Sequence, residues 1–95
     1  MAYVVIAGWT VAPEDREAVL AAMLVAQEAT RSEDPACSAY QVLVNAADAH
    51  RLGVFESYTD EAAFDAHLAG PIVAALSQTL RGRIKDPLRT AYLTP

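Results

Sequence analysis

Residues 2–11 read AYVVIAGWTV, a run dominated by β-branched and aromatic side chains. Such a run predicts a strand. It does not alternate apolar with polar positions. Tyr3, Val5, Ala7 and Trp9 share one face, and Val4, Ile6, Gly8 and Thr10 share the other. A strand that is apolar on both faces is covered on both faces. Helices of the same chain can supply one cover. The second must come from elsewhere, and a second copy of the chain is the economical source.

The period then changes. Pro13 ends the strand and suits a first helical position, where its missing N–H has no partner to lose. Glu14, Asp15 and Glu17 place acids in the first turn, where they complement the helix dipole. Val19, Leu20, Met23, Leu24 and Ala26 recur at spacings of three and four, with Gln27 and Thr30 extending the stripe and Arg31 in the last turn. Asp34-Pro35 stops the helix at about residue 32 or 33, because a residue before proline avoids the α region. Cys37–Val44 and residues 52–58 read as two further strands. The polar residues 45–51 between them make a link short enough for an antiparallel hairpin. Asp60 is a natural N-cap for the next helix, with Ala63, Phe64, His67 and Leu68 inward. Gly70-Pro71 breaks it. A second helical piece over Pro71–Leu80 turns Ile72, Val73, Leu76 and Leu80 inward, Gly82 ends it, and residues 87–93 form a last strand.

The order β-α-β-β-α-β predicts an α+β, ferredoxin-like fold with helices on one face of an antiparallel sheet. The other face is left bare in a monomer, which is the same conclusion that the two-sided first strand gives. A homodimer through the open sheet face is therefore expected.

Composition narrows the class. The chain has 95 residues, one domain's worth, spanning residues 1–95 as a single unit. A chain this short buries only about 60–65% of its unfolded surface, so a partner would help it. Hydrophobic residues make up 54% and charged residues 20%, which excludes a disordered or linker protein. The net charge of −5 repels phosphates and argues against nucleic-acid binding. One cysteine, Cys37, makes no internal disulfide, and with two histidines it leaves too few ligands for a structural zinc site. No apolar run approaches a membrane span and the first residues lack a cationic leader, so a cytoplasmic location is expected.

Few residues are suited to chemistry. His67 sits on the inward stripe of its helix, where an imidazole can act as general acid or base or be satisfied as a core histidine. Glu56 is the carboxylate inside a strand, and burial demands a partner for it, with Arg51, Arg89 and Tyr40 as candidates across the sheet or a dimer interface. Trp9, Tyr40 and Tyr58 can line a flat pocket for an aromatic ligand or simply fill the core. Arg81, Arg83, Lys85 and Arg89 hold four of the seven basic residues and can steer an anion or stay solvated. No phosphate-cradling loop and no flavin or nicotinamide motif is present.

Three segments together resemble the antibiotic biosynthesis monooxygenase (ABM) family, of the dimeric α+β-barrel superfamily. They are Trp9-Thr10-Val11-Ala12-Pro13, the run from Glu33 through Cys37 to Tyr40, and the run from Phe55 to Leu68. The last is similar to the family's Glu-x-Trp-x-Asp-x-x-Ala-x-x-x-His segment, with Tyr58 where tryptophan is frequent. The resemblance implies a homodimeric barrel and a pocket between sheet and helices. It also implies oxidation of a phenolic or quinol-type substrate by O2 with no cofactor, the substrate itself supplying the electrons. His67 would then be the base or proton relay. Trp9 and Tyr40 would be donors or walls; on physical grounds rather than motif positions, Tyr58 would join them and Arg89 would steady an anionic oxygen. Ile72 stands where relatives often carry a second histidine, and no histidine occurs between Leu68 and Leu80, which disfavours haem degradation. Two other readings use the same fold: an isomerase with His67 and Glu56 as acid and base, and a non-catalytic small-molecule-binding or stress-response protein.

Overall fold

The computed structural model describes residues 1–95. The elements run β1 (Tyr3–Val11), α1 (Arg16–Glu33), β2 (Cys37–Val44), β3 (Arg51–Tyr58), α2 (Glu61–Leu68), α3 (Pro71–Leu80) and β4 (Ile84–Leu93). The four strands form one antiparallel sheet in the order β2-β3-β1-β4. This is the α+β, ferredoxin-like arrangement expected, with its second helical region split at Gly70-Pro71.

Strand β1 starts at Tyr3, one residue later than predicted, and three further boundaries differ from the sequence reading, each for a local reason. Helix α1 starts at Arg16 rather than Pro13: Asp15 donates its N–H to the Ala12 carbonyl at 3.0 Å, closing a turn before the helix begins. Strand β3 begins one residue early, at Arg51, which pairs with Thr10. Strand β4 starts at Ile84 rather than Pro87. Ile84 and Lys85 already pair with Val11 and Thr10, and the register shifts between Gly8 and Thr10 to absorb Asp86, whose φ is 50°. The proline is tolerated because β4 is an edge strand with a bulge, where no ladder donor is lost.

The core lies between the sheet and the helices, in two clusters at opposite ends of the strands. Val11, Val19, Met23 and Leu52 form one, with Trp9, Leu76 and Leu80 packed against it. Val5, Tyr58 and Phe64 form the other, with Tyr3, Cys37 and Ala63 around it. The buried stripe of α1 is Val19, Met23, Ala26, Gln27 and Thr30. Leu24 and Leu68, expected inward, are exposed, because each lies one residue past the stripe and so about 100° round the helix. Two polar side chains of α1 reach over β2. Val42 donates its N–H to Gln27 Oε1 at 2.8 Å, and Arg31 donates through Nε to the Tyr40 carbonyl at 3.0 Å. These bonds occupy groups on the sheet's β2 edge that would otherwise be free to pair with another strand.

The opposite sheet face is bare. Leu88 is 66% and Tyr92 56% exposed there, beside Ile6 and Leu43. Gly8 pairs with Gly53 at the centre of this face, and a Cβ on either would stand 2.9 Å from a backbone oxygen of the neighbouring strand. The pair leaves a depression, part of a cavity of about 400 Å³ rimmed by Ile6, Leu43, Arg51, Leu88 and Tyr92. No helix is long and apolar enough to cross a membrane.

Candidate functional site

The histidine at the centre of the site is positioned by two helix ends. Asp60 caps α2, its side chain accepting the Ala63 N–H at 2.8 Å, and this aims the short helix so that Phe64 and His67, three residues apart, both face the sheet. At the other side, α1 ends at Glu33 because Pro35 cannot follow a helical residue. Asp34 closes that end: its N–H donates to the Thr30 carbonyl at 3.0 Å, and its Oδ1 accepts the Ala36 N–H at 3.2 Å. The free oxygen of Asp34, Oδ2, points at the histidine.

His67 thus stands between two carboxyl groups. Its Nδ1 is 3.4 Å from Asp34 Oδ2 and its Nε2 is 3.8 Å from Glu56 Oε1. Both contacts are longer than a closed hydrogen bond. The imidazole side chain is 3% exposed. The rings of Tyr40 and Tyr58 approach it at 5.8 and 5.4 Å between centroids, tilted by 53° and 50°. Glu56 in turn accepts the Tyr58 hydroxyl at 2.6 Å. Register explains the grouping, since Tyr40 is the cross-strand neighbour of Glu56 and Tyr58 follows it on the same face. Arg89 reaches over from β4, its guanidinium 5.4 Å from the Phe64 ring centre, within range of a cation–π contact.

Burial dominates the electrostatics. It raises the Glu56 carboxyl above the usual carboxylate range, partly offset by the Tyr58 hydroxyl, His67 and Arg89. Burial also pushes Tyr40 and Tyr58 above the usual tyrosine range, aided in Tyr40 by the Glu56 charge and in Tyr58 by the hydrogen bond to Glu56. The Cys37 thiol, next to Tyr58, is raised by burial as well, which favours its inert protonated form.

A cavity of about 300 Å³ reaches His67 from the helix side, lined by Asp34, Ala36, Ala63, Ala66, His67 and Ile72. That lies at the lower end of small-molecule pockets, roughly 300–1,000 Å³. Its wall carries no aromatic ring besides the imidazole.

Tyr40, Glu56, Tyr58 and His67 therefore meet, and Arg89 stands beside them. Trp9 does not join them. It lies on the helix-facing side of β1, but opposite Leu52, whereas the site centres on Val5 and Glu56, four residues or about 13 Å along the strands. Trp9 packs in the other core cluster, with its indole N–H buried and unpaired. An arginine or tyrosine partner for Glu56 was expected across the sheet or a dimer interface. Glu56 faces the helices, and its hydrogen-bond partner is Tyr58 of its own chain. Of the arginines weighed for it, Arg51 is spent on the opposite face, donating to the Asp86 carbonyl at 2.7 Å. The basic loop does not gather at the site either: Arg83 stands 3.8 Å from Asp15. Asp34 is the residue that sequence reasoning missed. It was read only as a helix stop, and the signal that could have found it is that a helix stop is also a fixed place for a carboxylate. No three His, Cys, Asp or Glu side chains cluster as metal ligands.

Solved structures share this fold. A crystal structure of an antibiotic biosynthesis monooxygenase superposes with a TM-score of 0.89 at 26% identity, over 98% of both chains. Rv0793 from Mycobacterium tuberculosis gives 0.88 at 25% identity, over 100% of this chain and 95% of that one. SO0527 from Shewanella oneidensis gives 0.87 at 24% identity, over 96% and 88%, a likeness of fold alone. No curated protein matches significantly. The family model for antibiotic biosynthesis monooxygenase matches residues 2–79, most of the chain. The chain belongs to the antibiotic biosynthesis monooxygenase family.

Proposed function

We propose that this protein is a monooxygenase that oxidises a small phenolic or quinol-type substrate with O2, with no resident cofactor. The observation that carries this reading is His67, buried beside two tyrosine rings, flanked by Asp34 and Glu56, and reached by a cavity of about 300 Å³. Membership of the family supports it.

The chemistry asks little of the protein. A phenol that loses its proton becomes electron-rich enough to reduce O2. One oxygen atom enters the ring as a carbonyl and the other leaves as water, so the substrate supplies all the electrons. In this reading His67 takes the phenolic proton as general base. Arg89 steadies the resulting anion from β4. Tyr40 and Tyr58 stay protonated and hold the imidazole between their rings. The nearly dry surroundings of His67 keep water from the reactive intermediates. Trp9 has no part in this site.

The same reading includes a homodimer through the open sheet face. Its support is the exposure of Leu88 and Tyr92 around the Gly8–Gly53 depression, an apolar surface of the kind that marks an interface.

One observation favours a second reading. A histidine flanked by two carboxyl groups also suits proton transfer without oxygen, as an isomerase requires. Dependence on O2 separates the two: uptake driven by a reduced quinone and lost in His67→Ala supports the oxygenase.

A further inference from the structure

We propose that Asp34 is a positioning residue for His67: its carboxylate holds the ring with the proton on Nδ1 and leaves Nε2 as the basic nitrogen. This rests on the oxygenase reading for the use made of Nε2. The tautomer itself is a property of the free protein.

Asp34 is well anchored for that role. Its N–H donates to the Thr30 carbonyl at 3.0 Å, its carbonyl accepts the Cys37 N–H at 3.1 Å, and its Oδ1 accepts the Ala36 N–H at 3.2 Å. The remaining oxygen, Oδ2, lies 3.4 Å from His67 Nδ1. A carboxylate offers only lone pairs, so a nitrogen facing it gains by carrying the proton. The opposite tautomer would set the Nδ1 lone pair against those of Asp34 at a histidine whose side chain is 3% exposed. The demand at the other nitrogen is weaker, because its carboxyl neighbour is farther away and already engaged. Nε2 is 3.8 Å from Glu56 Oε1, and that oxygen already accepts the Tyr58 hydroxyl at 2.6 Å. The tilted rings of Tyr40 and Tyr58 restrict rotation of the imidazole. An acceptor behind one ring nitrogen is how proteins commonly select the tautomer of a working histidine.

The test is long-range proton–nitrogen NMR of the uniformly nitrogen-labelled protein near neutral pH, with half-buried His50 as internal reference, on wild type and Asp34→Asn. Asparagine keeps an oxygen for the Ala36 N–H but turns an amide N–H toward Nδ1. Wild type should show His67 predominantly as the Nδ1–H form, and D34N should shift it predominantly to Nε2–H with the amide fingerprint otherwise native. A wild-type His67 in the Nε2–H form overturns the proposal, and so does a folded D34N that keeps Nδ1–H. If D34N does not fold, the wild-type spectrum still decides. Oxygen uptake is measured separately, so failure of the oxygenase reading leaves the tautomer result standing, and the reverse.

Discussion

Glu56 and Tyr58 stand two residues apart on β3, and the tyrosine hydroxyl donates to the glutamate carboxyl at 2.6 Å beneath the helices. Strand geometry puts both on one face, and burial forces each to find the other. Replacing Glu56 by alanine removes the acceptor and leaves a buried hydroxyl unpaired, which costs about 1–3 kcal/mol. Glu56→Gln keeps an acceptor and should cost much less. Denaturant unfolding of the two variants against wild type measures the difference.

The same carboxyl carries a pH signature. Burial raises its folded pKa above the unfolded value, so the folded state holds the proton more tightly. The stabilising contribution is fully present below the ordinary glutamate pKa of about 4.3 and is lost as pH rises through the folded value. Wild type should therefore lose stability relative to Glu56→Gln across that window. Unfolding midpoints of both proteins over a pH series read this out, and parallel curves would contradict it.

Asp60 tests how the site is held. Asp60→Ala removes the side-chain acceptor for the Ala63 N–H, at a cost of about 1 kcal/mol. For a domain of this size that is a fall in Tm of roughly 4–8 °C. Because α2 carries His67, any activity should fall with it, although Asp60 makes no contact with His67 itself.

The dimer is tested on the bare sheet face. Light scattering of wild type should give about twice the mass of one chain. Leu88→Asp or Tyr92→Asp puts a charge into a surface that dimerisation would bury and should shift the protein to monomer. A wild-type monomer at micromolar concentration would remove the explanation for a first strand apolar on both sides.

Much of this was legible in the sequence. Residues 2–11 gave the first strand and its two apolar faces, Asp60 its cap, Gly70-Pro71 the helix break and Asp34-Pro35 the end of α1. Parity along each strand put Glu56 and Tyr58 on one face, but which face the helices cover comes from the structure. What parity cannot give is register between distant strands. Trp9 and Glu56 share that side yet sit in different core clusters, because β1 pairs Trp9 with Leu52. The start of β4 was hidden for a related reason: Pro87 reads as a boundary until a bulge opposite Gly8 and Thr10 makes room for it. Asp34 was hidden by its own good local explanation, and only the packing of α2 against the end of α1 reveals its second oxygen beside His67.

The central claim is that His67 serves as the base of an oxygen-consuming reaction. Oxygen uptake should be followed with a panel of reduced quinones and polyphenols, for wild type, His67→Ala and a protein-free autoxidation control. The account predicts uptake by wild type above the control and its loss in a folded His67→Ala. Uptake that survives in His67→Ala, or none above the control with any substrate of the panel, would contradict it.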